Sequence, residues 1–215
     1  MKYQAVIFDL DGTLLNSLED LANSMNRVLG DFGYPGHRLE EYRYFVGDGM
    51  ENLVRRALPA GIQDAEFTSC LQAMVEEYGR HAMVKTRSYK GIPELLESLA
   101  GRDIKMAVFS NKPDELTKML IAGLLPHWRF NPVWGARPGV PKKPDPSGAL
   151  EIASSINVLP EQVLYLGDTG TDMKTATAAG MYAVGALWGF RTADELLKAG
   201  AQVLVEKPLE LLHLL

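Results

Sequence analysis

Two aspartates near the start of the chain, Asp9 and Asp11, have a type and spacing that could do chemistry. The apolar run before them, Ala5 to Phe8, predicts a strand buried on both faces of a parallel sheet. The aspartates would then lie at its carboxyl end, where open α/β sheets bind ligands. Because neighbouring buried carboxylates repel each other and lose hydration, a divalent cation is the usual compensation. With that cation bound, one carboxylate could act as a nucleophile and the other as an acid and base.

The same residues have a simpler interpretation. Asp-Gly is common turn chemistry, so Asp11, Gly12 and Thr13 could end a strand and cap a helix. For an isolated Asp-x-Asp-Gly this simpler interpretation is the more frequent one. The remainder of the chain has to decide between the two.

A second polar segment follows the strand-like run from residue 104 to 109. Ser110 would present a hydroxyl and backbone amides at the carboxyl edge of the sheet. The alternative is that Ser110 and Asn111 cap a helix, with Pro113 at its first position. The two interpretations are compatible, because a helix N-terminus is itself an anion site.

A basic segment, Lys142-Lys143-Pro144-Asp145-Pro146, is braced by two prolines. The prolines reduce the freedom of the loop, so a lysine there could be held in place to meet a phosphate charge. The alternative is a solvated surface turn, which is the ordinary setting of lysine.

Two further acids follow the apolar run from residue 163 to 166. Asp168 comes directly after Gly167, and Asp172 lies four residues later, where the alternative is a helix N-cap at Thr171 or Asp172. Strand ends converge at one edge of a parallel sheet, so Asp168 should approach Asp9. Together these acids indicate a Mg²⁺ site with oxygen ligands.

Composition limits the possible partners. The chain has 215 residues, 47% of them hydrophobic, and a formal net charge of −5, which argues against nucleic acid as a partner. The single cysteine, Cys70, excludes an internal disulfide and fits a reducing cytoplasm, where we expect the protein. No apolar run approaches membrane-spanning length, so no membrane partner is predicted.

The pattern of apolar residues predicts an α/β fold with an inserted helical unit. Residues 17–85 are mostly helical in pattern, with Ser17 as a helix cap, whereas strands and helices alternate from about residue 86. Such alternation indicates a parallel sheet with right-handed crossovers. We therefore expect a core of residues 1–16 and 86–215, and a lid of residues 17–85 above the first strand. Further strands are expected at 132–135, 163–166, 182–187 and 202–205, and helices at 93–99, 114–121, 147–155, 172–179, 193–198 and 209–215.

The four motifs, in this order, resemble those of the haloacid dehalogenase (HAD) superfamily of phosphatases. The resemblance implies a Rossmann-like parallel-sheet core with an all-helical type-1 cap. Within the superfamily, Phe8 to Ser17 and Phe45-Val46-Gly47-Asp48-Gly49 resemble the phosphoglycolate phosphatase branch, although Gly-Asn-Gly is more frequent there than Gly-Asp-Gly.

The resemblance also implies a role for each motif residue. Asp9 matches the nucleophile, and Asp11 matches the acid and base that serves the leaving group and then the attacking water. Mg²⁺ would be held by the Asp9 side chain, the Asp11 carbonyl and Asp168, with Asp172 behind them or acting through water. The residues expected to bind the phosphate or the rest of the substrate are Ser110, Lys143, Gly12, Thr13, Asn111 and Gly47.

The function expected from this resemblance is Mg²⁺-dependent hydrolysis of a small phosphate monoester, similar to phosphoglycolate, through an aspartyl-phosphate. One alternative is a β-phosphoglucomutase-like enzyme, which shares the motifs but returns the phosphate to its sugar. A haloacid dehalogenase fits less well, since it uses neither an acid at position 11 nor Mg²⁺. An alternative outside enzymes is a phospho-acceptor signalling module, although such modules are shorter and carry no helical insert. The sequence predicts no oligomeric state.

Overall fold

A computed structural model describes residues 2–215. Six of its strands form one parallel sheet in the order β5-β4-β1-β6-β7-β8, and the other two form a short antiparallel ribbon. The strands are β1 (Ala5–Phe8), β2 (Leu15–Asn16), β3 (Arg87–Ser88), β4 (Lys105–Pro113), β5 (Val133–Ala136), β6 (Val163–Gly167), β7 (Tyr182–Ala186) and β8 (Val203–Val205). The helices are α1 (Leu18–Asp31), α2 (Leu39–Phe45), α3 (Met50–Ala57), α4 (Asp64–His81), α5 (Ile92–Ala100), α6 (Asp114–Leu124), α7 (Ser147–Ser155), α8 (Gly170–Ala178) and α9 (Ala193–Lys198).

Strand β1 lies at the centre of the sheet, between β4 and β6. Its four residues are fully buried, as expected for a strand that is covered on both faces. Val6 and Phe8 pack into one apolar cluster, and Ala5 and Ile7 pack into the other. This alternation follows from the two-residue period of a strand, and it produces the three-layer α/β architecture that the sequence predicts.

The helices α1 to α4 are inserted between the two strands of the short ribbon. In that ribbon Leu15 pairs with Ser88 and Asn16 pairs with Arg87, so the outgoing and returning chains lie side by side. The buried Asp20 carboxylate accepts hydrogen bonds from the backbone N–H groups of Lys85 and Thr86. It also accepts one from the Thr86 hydroxyl, which ties the first turn of α1 to the returning chain.

Three local details differ from the sequence prediction. Strand β4 continues through Ser110 and Asn111 to Pro113, so neither polar residue caps helix α6. The N-cap of α8 is Thr169, which accepts a hydrogen bond from the Asp172 backbone N–H, whereas the alternative interpretation of this segment placed the cap at Thr171 or Asp172. The C-terminal segment, Pro208–Leu214, is a 3-10 helix and not an α-helix.

None of the helices in the described part of the chain combines the length and apolar character needed to cross a membrane.

Candidate active site

Three buried aspartates meet at the carboxyl edge of the sheet. Asp9 directly follows β1, Asp168 directly follows β6, and Asp172 lies in the first turn of α8. One oxygen from each carboxylate lies within 4.8 Å of the others. The convergence of strand ends that the sequence predicts for Asp9 and Asp168 is therefore present.

Asp168 is held from two sides. Its Oδ1 accepts a hydrogen bond from the Thr13 hydroxyl at 2.9 Å, and its Oδ2 accepts one from the Phe190 backbone N–H at 2.8 Å. Gly12, at φ +88°, leaves the space that this carboxylate occupies, because a Cβ at position 12 would overlap it. Thr13 is thus placed to orient Asp168, and the Trp188 indole N–H holds the Thr13 carbonyl at 3.0 Å.

Lys143 is the cation of this cluster. Its Nζ lies 2.8 Å from Asp9 Oδ1 and 2.6 Å from Asp172 Oδ1, and the side chain is 1% exposed. The Asn111 side chain fixes the backbone of Lys143, since Asn111 Oδ1 accepts from the Lys143 N–H and Nδ2 donates to its carbonyl. The Lys143 side chain therefore points inward, whereas its neighbours Lys142 and Pro144 are exposed, as in the alternative interpretation of a solvated turn.

The charges of the cluster do not balance. Burial raises the pKa of Asp9 above its usual range, the negative charge of Asp172 raises it further, and Lys143 only partly opposes this. Burial and the charges of Asp9 and Asp172 likewise raise the pKa of Asp168. Burial alone would lower the pKa of Lys143, but the charges of Asp172 and Asp9 outweigh it and raise that pKa well above its ordinary value. The oxygens of three close carboxylates are the ligands that a hard divalent cation prefers.

Asp11 lies in a different environment from these acids. Its Oδ1 accepts a hydrogen bond from the Ser17 hydroxyl at 2.5 Å. The Lys112 Nζ lies 2.9 Å from Asp11 Oδ1 and 2.7 Å from Oδ2. Ser17 does occupy the N-cap position of α1, but its side chain makes no capping hydrogen bond. Lys112 has no predicted role, because lysine is seldom fully buried and the local sequence around it gives no sign of its partner.

A small cavity of about 30 Å³ opens between the sheet edge and the inserted helices. One water needs roughly 10–15 Å³ of such space, so the cavity has room for about two water molecules. The core contributes Asp9, Asp11, Ser110, Asn111, Lys112 and Pro113, and the insert contributes Leu21, Val46, Gly47, Gly49, Met50 and Leu53. The insert is therefore seated closely on the core, and its contribution to the wall is mainly apolar.

The loop from Gly47 to Gly49 joins the insert to the core. The Thr171 hydroxyl donates to Asp48 Oδ1 at 2.7 Å, and Arg56 pairs with Asp48 Oδ2. The Gly47 carbonyl accepts a long hydrogen bond of 3.5 Å from Asn111 Nδ2. Gly49, at φ +92°, approaches the Asn111 carbonyl so closely that a Cβ would lie 3.1 Å from it. The Asp48 side chain therefore contacts α8 and α3, whereas both glycines line the cavity.

Most of the predicted site residues gather around this cavity or the acid cluster. Ser110 lines the cavity, and its hydroxyl accepts a hydrogen bond from the Lys112 backbone N–H at 3.2 Å. Gly12 and Thr13, which are expected to bind substrate, both lie against Asp168. Asn111 reaches the cavity wall, but its side chain is used to hold Lys143.

Comparison with known proteins agrees with this arrangement. Residues 6–186 match the haloacid dehalogenase-like hydrolase family. A phosphoglycolate phosphatase from Pseudomonas putida is 34% identical over 189 residues, which is 86% of this chain and 70% of that protein. Another phosphoglycolate phosphatase, from Thiobacillus denitrificans, is 32% identical over 182 residues, covering 82% of this chain and 80% of its own length.

A solved structure shows the same fold. It is described as a predicted phosphoglycolate phosphatase from Haemophilus somnus, and it superposes with a TM-score of 0.93 at 26% identity. The superposition covers 100% of this chain and 98% of that one, so the inserted helices and the core both have counterparts. By sequence and by fold, the chain belongs to the haloacid dehalogenase-like hydrolase family and is a phosphoric monoester hydrolase of the phosphoglycolate phosphatase-like kind.

Proposed function

We propose that this enzyme hydrolyses a small phosphate monoester similar to phosphoglycolate, with Mg²⁺ and through an aspartyl-phosphate on Asp9. The observation that carries the proposal is the cluster of Asp9, Asp168 and Asp172, in which Lys143 pairs with Asp9 and Asp172 and Asp9 also lines the cavity. Phosphoryl transfer depends mainly on position and on stabilisation of charge, and this cluster supplies both.

In the first step, an Asp9 oxygen attacks phosphorus, and the bond from phosphorus to the ester oxygen breaks. The electron pair of that bond stays on the leaving oxygen, which takes a proton from Asp11. Asp11 is the carboxylate of an ion pair with Lys112 in this structure, so it has to take up that proton before the step. Lys143 and Ser110 lie beside Asp9 and bind the phosphoryl oxygens. Lys143 already contacts Asp9 at 2.8 Å, so a phosphoryl group on Asp9 remains within reach of its ammonium group.

In the second step, water attacks the phosphorus of the aspartyl-phosphate, and the Asp11 carboxylate accepts a proton from that water. The bond between phosphorus and the Asp9 oxygen breaks, so phosphate leaves and Asp9 is free again. One carboxyl group therefore serves both steps, first as an acid and then as a base.

The cofactor assignment rests on the same cluster. Asp9 and Asp168 would hold Mg²⁺ through side-chain oxygens, the Asp11 carbonyl would add a third ligand, and Asp172 would act from behind or through water. When bound, the cation neutralises part of the charge and lets the anionic carboxylate of Asp9 approach an anionic phosphate.

The substrate assignment rests on the relatives. We propose that residues 17–85 act as a cap over a core of residues 1–16 and 86–215, and that the cap must lift to admit substrate, because the space beneath it holds only about two waters. The relatives named above are phosphoglycolate phosphatases, which supports a short phosphorylated acid.

The test is phosphate release by the wild-type protein and by Asp9→Asn, measured with phosphoglycolate, sugar phosphates, nucleotides and pyrophosphate. We expect phosphoglycolate to be the preferred ester and Asp9→Asn to lower turnover by about 10⁴-fold or more, as for other catalytic nucleophiles. Asp194→Asn is the matched control, because Asp194 is exposed on α9 and pairs only with Lys198.

Two results would contradict the proposal. Turnover by Asp9→Asn within tenfold of wild type would remove Asp9 as the nucleophile. Conversion of a sugar 1-phosphate to the 6-phosphate without release of phosphate would identify a mutase instead.

A further inference from the structure

Lys112 is a buried lysine that lies between the core and the inserted helices. Its side chain is 2% exposed, and its Nζ lies 2.7 and 2.9 Å from the two oxygens of Asp11. On another side, the Nζ lies 4.4 Å from the centre of the Tyr78 ring, which belongs to α4. Lys112 is thus the group through which the inserted helix α4 reaches the Asp11 carboxyl group.

We propose that Lys112 is a positioning residue, which orients the Asp11 carboxyl group toward the leaving oxygen of the substrate only when Tyr78 is seated against it. The inference rests on the proposed function, since it assumes that Asp11 is the acid for the leaving group. It adds a residue that the motif analysis did not find, and it makes proton delivery depend on the seating of the cap.

Three contacts fix the Asp11 carboxyl group. Two contacts from one ammonium group fix the plane of the carboxyl group, and the Ser17 hydroxyl, at 2.5 Å from Oδ1, fixes its rotation. Ser17 and Tyr78 both belong to residues 17–85. Two of the three groups that orient Asp11, directly or through Lys112, therefore move with the insert.

The contact between Lys112 and Tyr78 joins a cation to an aromatic ring. The ring is fully buried, its hydroxyl has no hydrogen-bond partner among the described residues, and the Lys112 Nζ lies over the ring. A cation beside an aromatic face is attracted by the ring quadrupole, most strongly when both are desolvated. If α4 lifts away, Lys112 loses this contact and gains room to move, so Asp11 loses its fixed orientation.

A lysine that positions Asp11 differs from a purely structural ion pair in its effect on different substrates. An ion pair that only stabilises the fold would affect every substrate alike. A group that orients the acid affects only substrates whose leaving oxygen needs a proton. 2-Phosphoglycolate loses an alkoxide and needs one, whereas acetyl phosphate loses acetate and does not.

The experiment compares kcat/KM for these two substrates in wild type, Lys112→Met and Lys112→Arg. The ratio kcat/KM covers the steps up to departure of the leaving group, so the later attack of water, which both substrates share, does not enter. We expect Lys112→Met to lower kcat/KM for phosphoglycolate by about 10²-fold, the lower range for a general acid, and for acetyl phosphate by less than about threefold. Lys112→Arg should restore part of the loss, and Lys118→Met, an exposed lysine on α6, should change neither value.

A second pair of variants tests the contact with the cap without removing a buried charge. Tyr78→Phe keeps the ring and should behave like wild type, whereas Tyr78→Leu removes it and should show the same selective loss, at about tenfold. An equal loss for both substrates, or none in Tyr78→Leu, would overturn the role of Lys112. A wild-type protein that hydrolyses neither substrate would instead overturn the proposed function.

Discussion

The two buried ammonium groups of this enzyme have opposite surroundings. Lys143 pairs with Asp9 and Asp172, two members of a cluster of three carboxylates that Asp168 completes, and leaves the cluster with an excess of negative charge. Lys112 faces one carboxylate, Asp11, and one aromatic ring from an inserted helix. The first group is short of positive charge and suits a divalent cation, whereas the second is balanced and suits the holding of a carboxyl group in one orientation. Under the two proposals, the same residue type stabilises charge at one site and positions an acid at the other.

Among the substitutions that compare the two lysines, Lys143→Met has the largest expected effect. Lys143 is proposed to bind the phosphoryl group of every substrate, so its loss should lower kcat/KM for phosphoglycolate and acetyl phosphate alike. We expect about 10²- to 10³-fold for each, the usual loss for one group that stabilises developing charge. Measured beside Lys112→Met, the variant shows whether the two lysines differ in kind.

The control for this prediction is Lys143→Arg, which keeps the charge and changes its shape. We expect only partial recovery, because a flat guanidinium does not replace a point charge between Asp9 and Asp172. A loss confined to phosphoglycolate in Lys143→Met would make the two sites alike and would remove the contrast between them.

A smaller effect is expected for Asp168→Asn, in the metal requirement. The substitution removes a charged oxygen from the acid cluster, so the Mg²⁺ concentration for half-maximal activity should rise at least about tenfold. Thr13→Val is the matched variant, since it removes only the hydroxyl that orients Asp168 and should give a smaller rise. Titration of activity with Mg²⁺ measures both, and an unchanged requirement in Asp168→Asn would remove this residue from the metal site.

The contrast between the sites also explains what could be predicted from the sequence. Asp9 and Asp168 were found because apolar strands end in acids, and the parallel sheet brings such ends together. The prolines around Lys142 and Lys143 predict a braced basic loop, and the family resemblance selects Lys143 from it. Each segment has a simpler interpretation when taken alone, so it is the order of the four motifs along the chain that predicts one site.

Lys112 and Tyr78 could not be found in this way. Lys112 and Asp11 are 101 positions apart, and nothing local indicates that a lysine after Ser110 and Asn111 turns inward. Tyr78 lies at an apolar position of a helix, where core packing is the ordinary interpretation. Ser17 was expected to cap α1, but the competing Asp11 carboxylate takes its hydroxyl. The ribbon of β2 and β3 was also missed, since two residues are too few to show an alternating pattern.

The effect expected on stability in the absence of metal has opposite signs at the two sites. Removing a charge from the crowded cluster should stabilise the fold, so metal-free Asp9→Asn should unfold at a higher temperature than wild type at pH 8. Removing a charge from the balanced pair leaves Lys112 buried and unpaired, so Asp11→Asn should be destabilised by about 3–5 kcal/mol. Thermal unfolding in EDTA measures both.

The pH dependence of the Asp9→Asn effect gives this comparison its sharpest form. Asp9 has a pKa raised to about 7 by burial and by Asp172, compared with 3.8 for an ordinary aspartate. Between these two values the folded protein binds a proton that the unfolded chain has released, so wild-type stability falls as the pH rises through this window. Asp9→Asn has no carboxyl group at this position and so does not lose stability in this way. The difference in the free energy of unfolding between Asp9→Asn and wild type should therefore be greater at pH 8 than at pH 5, by on the order of 1–3 kcal/mol. Groups that titrate alike in both proteins cancel in the difference. Saturating Mg²⁺ should abolish this stability difference, because the cation supplies the positive charge that the cluster lacks. A stability difference that depends on neither pH nor Mg²⁺ would show that the charge of Asp9 does not destabilise the metal-free fold.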